Sequence, residues 1–370
     1  MDRRLFATLI AAVLLVSAMP ASAAPSPNPD NLSRSILGYF TELGGLKPPD
    51  WMAAGTRVVY KISNEDFTDP AKDESGFLIY DIVDVKDSYV ASALSTSEEV
   101  SGLPLGLVYS STFVDHPAIG RYWISPGLFR QGVLPKEKSD LIYFTSISLG
   151  GTKYDVAVFS FESSTAKRTM AYDRETGLLL LVDMVLFDKS GKDAAQTVIT
   201  YLGTRFAFTP WYGVNVEGLA TDTKLTYKAI YIMGGKAEEQ ALEFKVLENN
   251  GTWAVLEKVN TDPSGARFTG QTISTTSGGD INLLWLPTDL LKGFKDGETL
   301  FEEDLTSSTV KAMGISQDKD FGEVRSLLFI DRAVQTECRY SLKTGYMVSL
   351  HQKPLSERIP EVVFTLVSVK

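Results

Sequence analysis

Few residues in this chain are of a type that could do chemistry. Its 370 residues include two histidines, His116 and His351, and one cysteine, Cys338. His116 lies in Val114-Asp115-His116-Pro117, where an Asp–His pair could orient a general base. No Gly-x-Ser-x-Gly elbow accompanies it, so the segment reads as a polar loop ahead of a proline. His351 follows an apolar strand pattern and reads as a surface position. Two isolated histidines and one distant cysteine give no zinc-like spacing. A single cysteine also excludes an internal disulfide, and Cys338, within Thr336-Glu337-Cys338-Arg339-Tyr340, reads as a small core residue.

Carboxylates gather at Asn64-Glu65-Asp66, Asp69 and Asp73-Glu74, at Glu302-Glu303-Asp304, and at Asp318, Asp320 and Glu323. The last group has part of the acidic pattern of a calcium loop. Its ligand alternation is incomplete and Gly322 is out of place, so solvated hairpin turns are expected instead. Leu149-Gly150-Gly151-Thr152 and Ser277-Gly278-Gly279-Asp280 read as hairpin turns, because no lysine and helix follow them as in a phosphate cradle. The expectation is a protein that is not an enzyme, with no catalytic residues, no metal and no cofactor.

The elements that must position everything else are β-strands. Aromatics at 11%, 29 glycines and many Thr, Val and Tyr favour β structure, and 44% hydrophobic residues can fill sizeable cores. The formal charge is −10, and removing Asp2, Arg3 and Arg4 leaves 34 basic against 45 acidic residues. That balance argues against nucleic-acid partners. Arg3-Arg4, an apolar run from Leu5 to Val16 and Ala21-Ser22-Ala23 form a secretory signal peptide, residues 1–23, with cleavage expected after Ala23. The mature chain is expected to be soluble, without a transmembrane segment, in the periplasm or outside the cell. Residues 24–49 read as a spacer and a short helix with Leu32, Ile36, Tyr39, Phe40 and Leu43 on one face.

The rest of the chain repeats. Tyr172-Asp173-Arg174-Glu175-Thr176-Gly177 predicts a hairpin in which Asp173 bonds the turn backbone and Gly177 takes positive φ. The device returns as Tyr340-Ser341-Leu342-Lys343-Thr344-Gly345, with Tyr, Thr and Gly each 168 positions on. Tyr60 and Tyr227 are 167 apart, and Trp123 and Trp285 are 162 apart. Each tryptophan opens a short non-β element, Trp123 to Gly132 and Trp285 to Gly293, with the proline, paired apolars and closing glycine of one or two helical turns. These landmarks predict a tandem duplication: residues 50–205 and 211–370, each an antiparallel curved sheet, or half-barrel, of about seven to nine strands with a short helical insert. Alternation puts Leu178, Leu180 and Val182, matched by Tyr346, Val348 and Leu350, on an apolar face. The opposite face grows more polar away from the turn.

An exported β unit with an aromatic-led first strand, a mid-chain helical insert and a Tyr-x-x-x-Thr-Gly hairpin resembles the half-barrels of the periplasmic lipoprotein-carrier superfamily, the LolA-like carriers and related lipid binders. The resemblance implies a curved sheet around an apolar cavity that short helices plug and acyl chains enter. A duplicated chain differs from the single-domain carriers. On this basis the ligand-facing residues are expected to be Trp123, Leu128, Phe129, Leu178, Leu180 and Val182 in the first half. In the second they are Trp285, Leu290, Leu291, Tyr346 and Val348. The expected function is to hold a lipid or other amphipathic molecule. The alternative is a structural or assembly protein that meets a protein partner in the cell envelope. A cavity filled by side chains would favour the latter.

Overall fold

The computed structural model describes residues 46–70, 73–98, 111–131, 140–277, 283–331, 334–355 and 360–370. The signal peptide, the N-terminal helix and the Gly278-Gly279 turn predicted above lie outside the described residues. The chain is mainly β and forms two unclosed antiparallel sheets.

The first sheet contains β1 (Thr56–Asp66), β2 (Glu74–Val85), β3 (Val90–Glu98), β4 (Ser111–Asp115), β5 (Asp140–Leu149), β6 (Thr152–Glu162), β7 (Ala166–Asp173), β8 (Leu179–Phe187) and β9 (Asp193–Phe206). Its order is β4-β3-β2-β1-β9-β8-β7-β6-β5. A helix, α1 (Pro126–Gln131), lies between β4 and β5 in the chain. The second sheet contains β10 (Lys224–Met233), β11 (Lys236–Asn249), β12 (Trp253–Thr261), β13 (Arg267–Thr275), β14 (Thr299–Glu303), β15 (Ser308–Asp318), β16 (Gly322–Ile330), β17 (Val334–Ser341), β18 (Met347–Pro354) and β19 (Glu361–Val369). Its order is β13-β12-β11-β10-β19-β18-β17-β16-β15-β14, with α2 (Thr288–Gly293) between β13 and β14 in the chain.

The two orders are the same path drawn twice. Four strands run outward from the first, the insert follows, and the remaining strands return until the last pairs with the first. The duplication is therefore real at the level of topology. Strand β14 has no counterpart in the first sheet, so the second sheet has ten strands, one more than expected.

Burial follows the period-2 pattern in the second sheet. Val334, Thr336, Cys338 and Tyr340 of β17 point inward, as do Leu225, Tyr227 and Ala229 of β10 and Val362, Phe364 and Leu366 of β19. Apart from Val334 and Thr336, these residues form one apolar core with Leu283 to Leu286, Leu291 and Phe294 of the insert. The first sheet adds strands that are buried on both faces. Val58–Tyr60, Phe77–Val83 and Val90–Leu94 are buried without a break, on both faces of β1, β2 and β3. Those stretches are nearly continuous apolar runs, the sequence mark of a strand covered on both sides.

The hairpin turns hold the inserts. Gly177 and Gly345 have φ of +76° and +78°. Gly177 donates its N–H to Asp173 and Gly345 donates its own to Ser341, both at 2.8 Å. Each glycine carbonyl then accepts from the insert: Ile124 N–H to Gly177 at 2.8 Å, and Leu286 N–H to Gly345 at 3.0 Å. A second bond returns, from Leu179 N–H to the Tyr122 carbonyl at 2.9 Å and from Met347 N–H to the Leu284 carbonyl at 3.0 Å. A Cβ on Gly177 would lie 1.9 Å from the Ile124 oxygen, and one on Gly345 2.2 Å from the Leu286 oxygen.

Both φ and close approach thus require glycine. Gly177→Val and Gly345→Val are each expected to cost about 2–4 kcal/mol, since strain at positive φ adds to displacement of the insert. Urea unfolding of the two variants measures it. Midpoints equal to wild type would remove the junction from the account.

Candidate functional site

The expected ligand-facing residues meet at this junction. Trp123 pairs as an isolated antiparallel bridge with Leu178, and Trp285 with Tyr346. The backbone of each insert is thus an extra short strand on the hairpin turn. Tyr172 and Tyr340 tie down the preceding residues, donating their hydroxyl protons to the carbonyls of Arg121 (3.4 Å) and Leu283 (2.8 Å). Leu180 and Val348 are buried, while Val182 and Tyr346 are half-buried. Leu128 and Phe129 of α1 are buried; in α2, Leu291 is buried and Leu290 half-buried. In the second half, Trp285, Leu291 and Val348 share one core cluster, with Leu290 and Tyr346 packed on its margin. In the second half the insert thus covers apolar surface that its own hairpin presents.

The two tryptophans hold equivalent backbone places but do different work. The Trp123 ring lies on Gly120, where a Cβ would come within 2.2 Å, and its indole N–H donates to the Pro117 carbonyl at 3.1 Å. The Trp285 ring lies on Gly218, and its N–H donates to the Thr344 carbonyl at 2.9 Å. In the first half the matching carbonyl, Thr176, is served by Trp51 at 3.0 Å. Trp51 and Trp211, near the start of each half, are also unlike: Trp211 is fully buried and Trp51 half-buried.

Sequence reasoning missed Arg325. This residue of β16 is 3% exposed. Its Nε donates to the Leu291 carbonyl (3.2 Å), its Nη2 to the Phe294 carbonyl (2.8 Å) and its Nη1 to the Met313 carbonyl (2.6 Å); Nη1 also pairs with the Asp296 carboxylate. The acceptors at 291 and 294 are at the C-terminal end of α2, where carbonyls lack intrahelical partners. The Met313 carbonyl lies at a register shift between Ala312 and Ile315 on β15. An arginine at the inward parity of Leu327 and Phe329, in an otherwise apolar strand, was the available signal.

The groups singled out for chemistry lie apart. His116 is in a loop, and its Nδ1 accepts from the Ala118 N–H at 3.1 Å. His351 is half-exposed on β18, with Nε2 2.6 Å from Glu361 Oε1. Cys338 is fully buried, and burial pushes its thiol pKa far up, which keeps it in the unreactive protonated form. Asp318 accepts from the N–H groups of Asp320 and Phe321 and pairs with Arg339 at 3.2 Å, as a hairpin-turn residue does. Among the described residues no cluster of His, Cys, Asp and Glu could hold a metal. No helix among them is long and apolar enough to cross a membrane.

Outside the junction, Phe206 (49% exposed), Phe208 (71%) and Tyr212, at and just after the end of β9, stack with ring centroids 4.9–6.4 Å apart.

No protein-family model matches the chain, and no curated protein matches it. Among solved structures it is similar to a Bacteroides fragilis protein of YmcC-like fold, at 13% identity over 44% of this chain and 99% of that one, with a TM-score of 0.28. It is similar to a chain of the Pseudomonas aeruginosa MucA/MucB complex at 13% identity over 60% and 91%, with a TM-score of 0.23. It is also similar to an outer membrane lipoprotein-sorting protein domain from Vibrio parahaemolyticus at 10% identity over 42% and 86%, with a TM-score of 0.19. Likeness at this level carries no inference about ligand, partner or activity.

His116 supplies a pH test. Burial holds its imidazole below the usual 6.5, and the Ala118 bond needs Nδ1 unprotonated. A depressed folded pKa means the unfolded chain takes up the proton first. The contribution to stability is therefore present above 6.5 and lost as pH falls through the folded value. His116→Gln should lose less of its urea midpoint than wild type between about pH 7 and about pH 5. An equal loss would show that His116 does not titrate in this way.

Proposed function

We propose that this chain is an exported, non-catalytic binding protein that takes the apolar chain of a lipid or other amphipathic molecule on the face its inserts now cover. The observation that carries this reading is the plug geometry. In the second half, Trp285 of the backbone-bonded junction and Leu291 of the short helix after it share one core with Val348 and Leu350 of their own sheet. A ligand would replace those contacts like for like. An acyl chain burying about 200 Å² of apolar surface gains roughly 5 kcal/mol at ~25 cal/mol per Å², before ordering costs, which suits reversible carriage.

This face is filled by side chains, a feature that favours the assembly reading, so lipid binding requires an insert to lift. A half whose insert stays down is a structural unit. The second reading, contact with a protein partner, is favoured by the exposed Phe206, Phe208 and Tyr212 cluster, because aromatic anchors dominate binding surfaces.

Titration of the mature protein with a pyrene-labelled fatty acid tests the first reading. Saturable binding is expected, weakened several-fold by Val182→Asp or Leu290→Asp at half-buried positions, with circular dichroism confirming the fold. A folded wild type that binds nothing would transfer the function to the protein-partner reading.

A further inference from the structure

Four strands lie at the ends of the two sheets, and they present their outer edges unequally. β4 and β14 are five residues each, β14 ending in Glu302 and Glu303, and β13 begins with Arg267 and contains Gly270. Short length, charge and glycine are devices that keep an edge from pairing with another chain. Strand β5 has none of them. It is ten residues long, and Leu141 to Leu149 include no charged residue, no proline and no glycine. Tyr143 and Phe144 are each 49% exposed, one on each face, and Thr145 and Ser146 are exposed beside them. Among the described residues β6 alone pairs with β5, in a register unbroken from Asp140–Phe161 to Leu149–Thr152.

Turn geometry decides which backbone groups of β5 face outward. Gly150 and Gly151, at φ +56° and +83°, make the two-residue turn of a type I′ hairpin, which closes on a hydrogen-bonded Leu149–Thr152 pair. Bonded and non-bonded pairs then alternate, so Tyr143, Thr145 and Ile147 bond to β6. Ile142, Phe144, Ser146 and Ser148 turn their N–H and C=O groups to the open edge. We infer that this edge pairs antiparallel with β5 of a second copy of the chain, about a two-fold axis normal to the sheet at Thr145. That register sets Tyr143 opposite the partner's Ile147 and Thr145 opposite the partner's Thr145, the aromatic–β-branched and Thr–Thr pairs that favour strand association. Phe144 meets the partner's Ser146 on the other face. Charge selects a second copy as the occupant. Two chains of net charge −10 repel over most of their surfaces, and an uncharged edge lets them meet with no like charges opposed. The two Asp140 positions fall at opposite ends of the paired strands. Arg174 lies over the Phe144 ring, 4.3 Å from its centroid, which fixes the ring before docking and lowers the ordering cost.

Self-pairing goes beyond the lipid reading and is tested without a ligand. Sedimentation velocity of the mature chain, at concentrations up to about 100 μM, is expected to show a monomer–dimer equilibrium, because a single strand pair is a small interface. Thr145→Lys, which sets two ammonium groups face to face, should weaken the dimer roughly tenfold or more. Phe144→Pro removes an N–H that faces the open edge and none that bonds β6, so it should abolish the dimer and keep the circular dichroism spectrum. In hydrogen exchange of the wild type, the peptide spanning β5 should gain protection as concentration rises, and those spanning β13 and β14 should not. A wild type that stays monomeric throughout, or a dimer that Thr145→Lys leaves intact, would overturn the pairing. Should Phe144→Pro unfold the chain, Thr145→Lys and the exchange pattern still decide. A dimer held instead by Phe206 and Phe208 would survive Thr145→Lys and leave β5 unprotected, which also overturns it.

Discussion

The structure depends on a contact too close for any side chain. At Gly177 and at Gly345 a hairpin turn offers its carbonyl to an insert that passes where a Cβ would stand. Positive φ makes the turn, and the missing side chain lets the insert dock on it. With the junction formed, the tryptophan that begins the bridge is placed over the sheet and the helix that follows covers the apolar row. Without it, the link between the two outer strands of each sheet would have no fixed path.

On this shared junction the copies have diverged in their side chains. The Thr176 carbonyl is capped by Trp51 and its equivalent at Thr344 by Trp285, so one hydrogen-bonding requirement is met from two places in the chain. An extra strand, β14, flanks the second sheet, and Arg325 ties its helix to the sheet. The first sheet instead buries β1 to β3 on both faces. Backbone geometry has been kept while the means of holding the insert have changed.

The site's chemistry is apolar. Hydroxyl and indole N–H groups buried at the junction donate to carbonyls, as in Tyr340 to Leu283 and Trp123 to Pro117, and the buried Asp173 carboxylate accepts from Thr176. These bonds fix positions without creating a nucleophile or base. Histidines and cysteine are spread over a loop, a strand surface and a core, each with a local structural partner or complete burial.

The sequence by itself determined the mainly β class and the hairpin glycines, and it pointed to two like halves. These are local or periodic features: a Tyr-x-x-x-Thr-Gly turn, apolar alternation along β17 and β19, and landmark offsets of 162 and 168. It also brought Trp123, Leu178, Trp285 and Tyr346 into the right neighbourhood, because matching positions in two copies must occupy matching places. Tertiary structure alone decided which carbonyl each indole reaches, that β1 to β3 are covered on both faces, and that Arg325 turns inward to cap α2. Those outcomes depend on groups brought together over more than a hundred positions in the case of Trp51 and Thr176, and on a register shift at Ala312. Neither long-range approach nor a bulge leaves a period in the sequence, since each is set by how surfaces fit once the strands have paired.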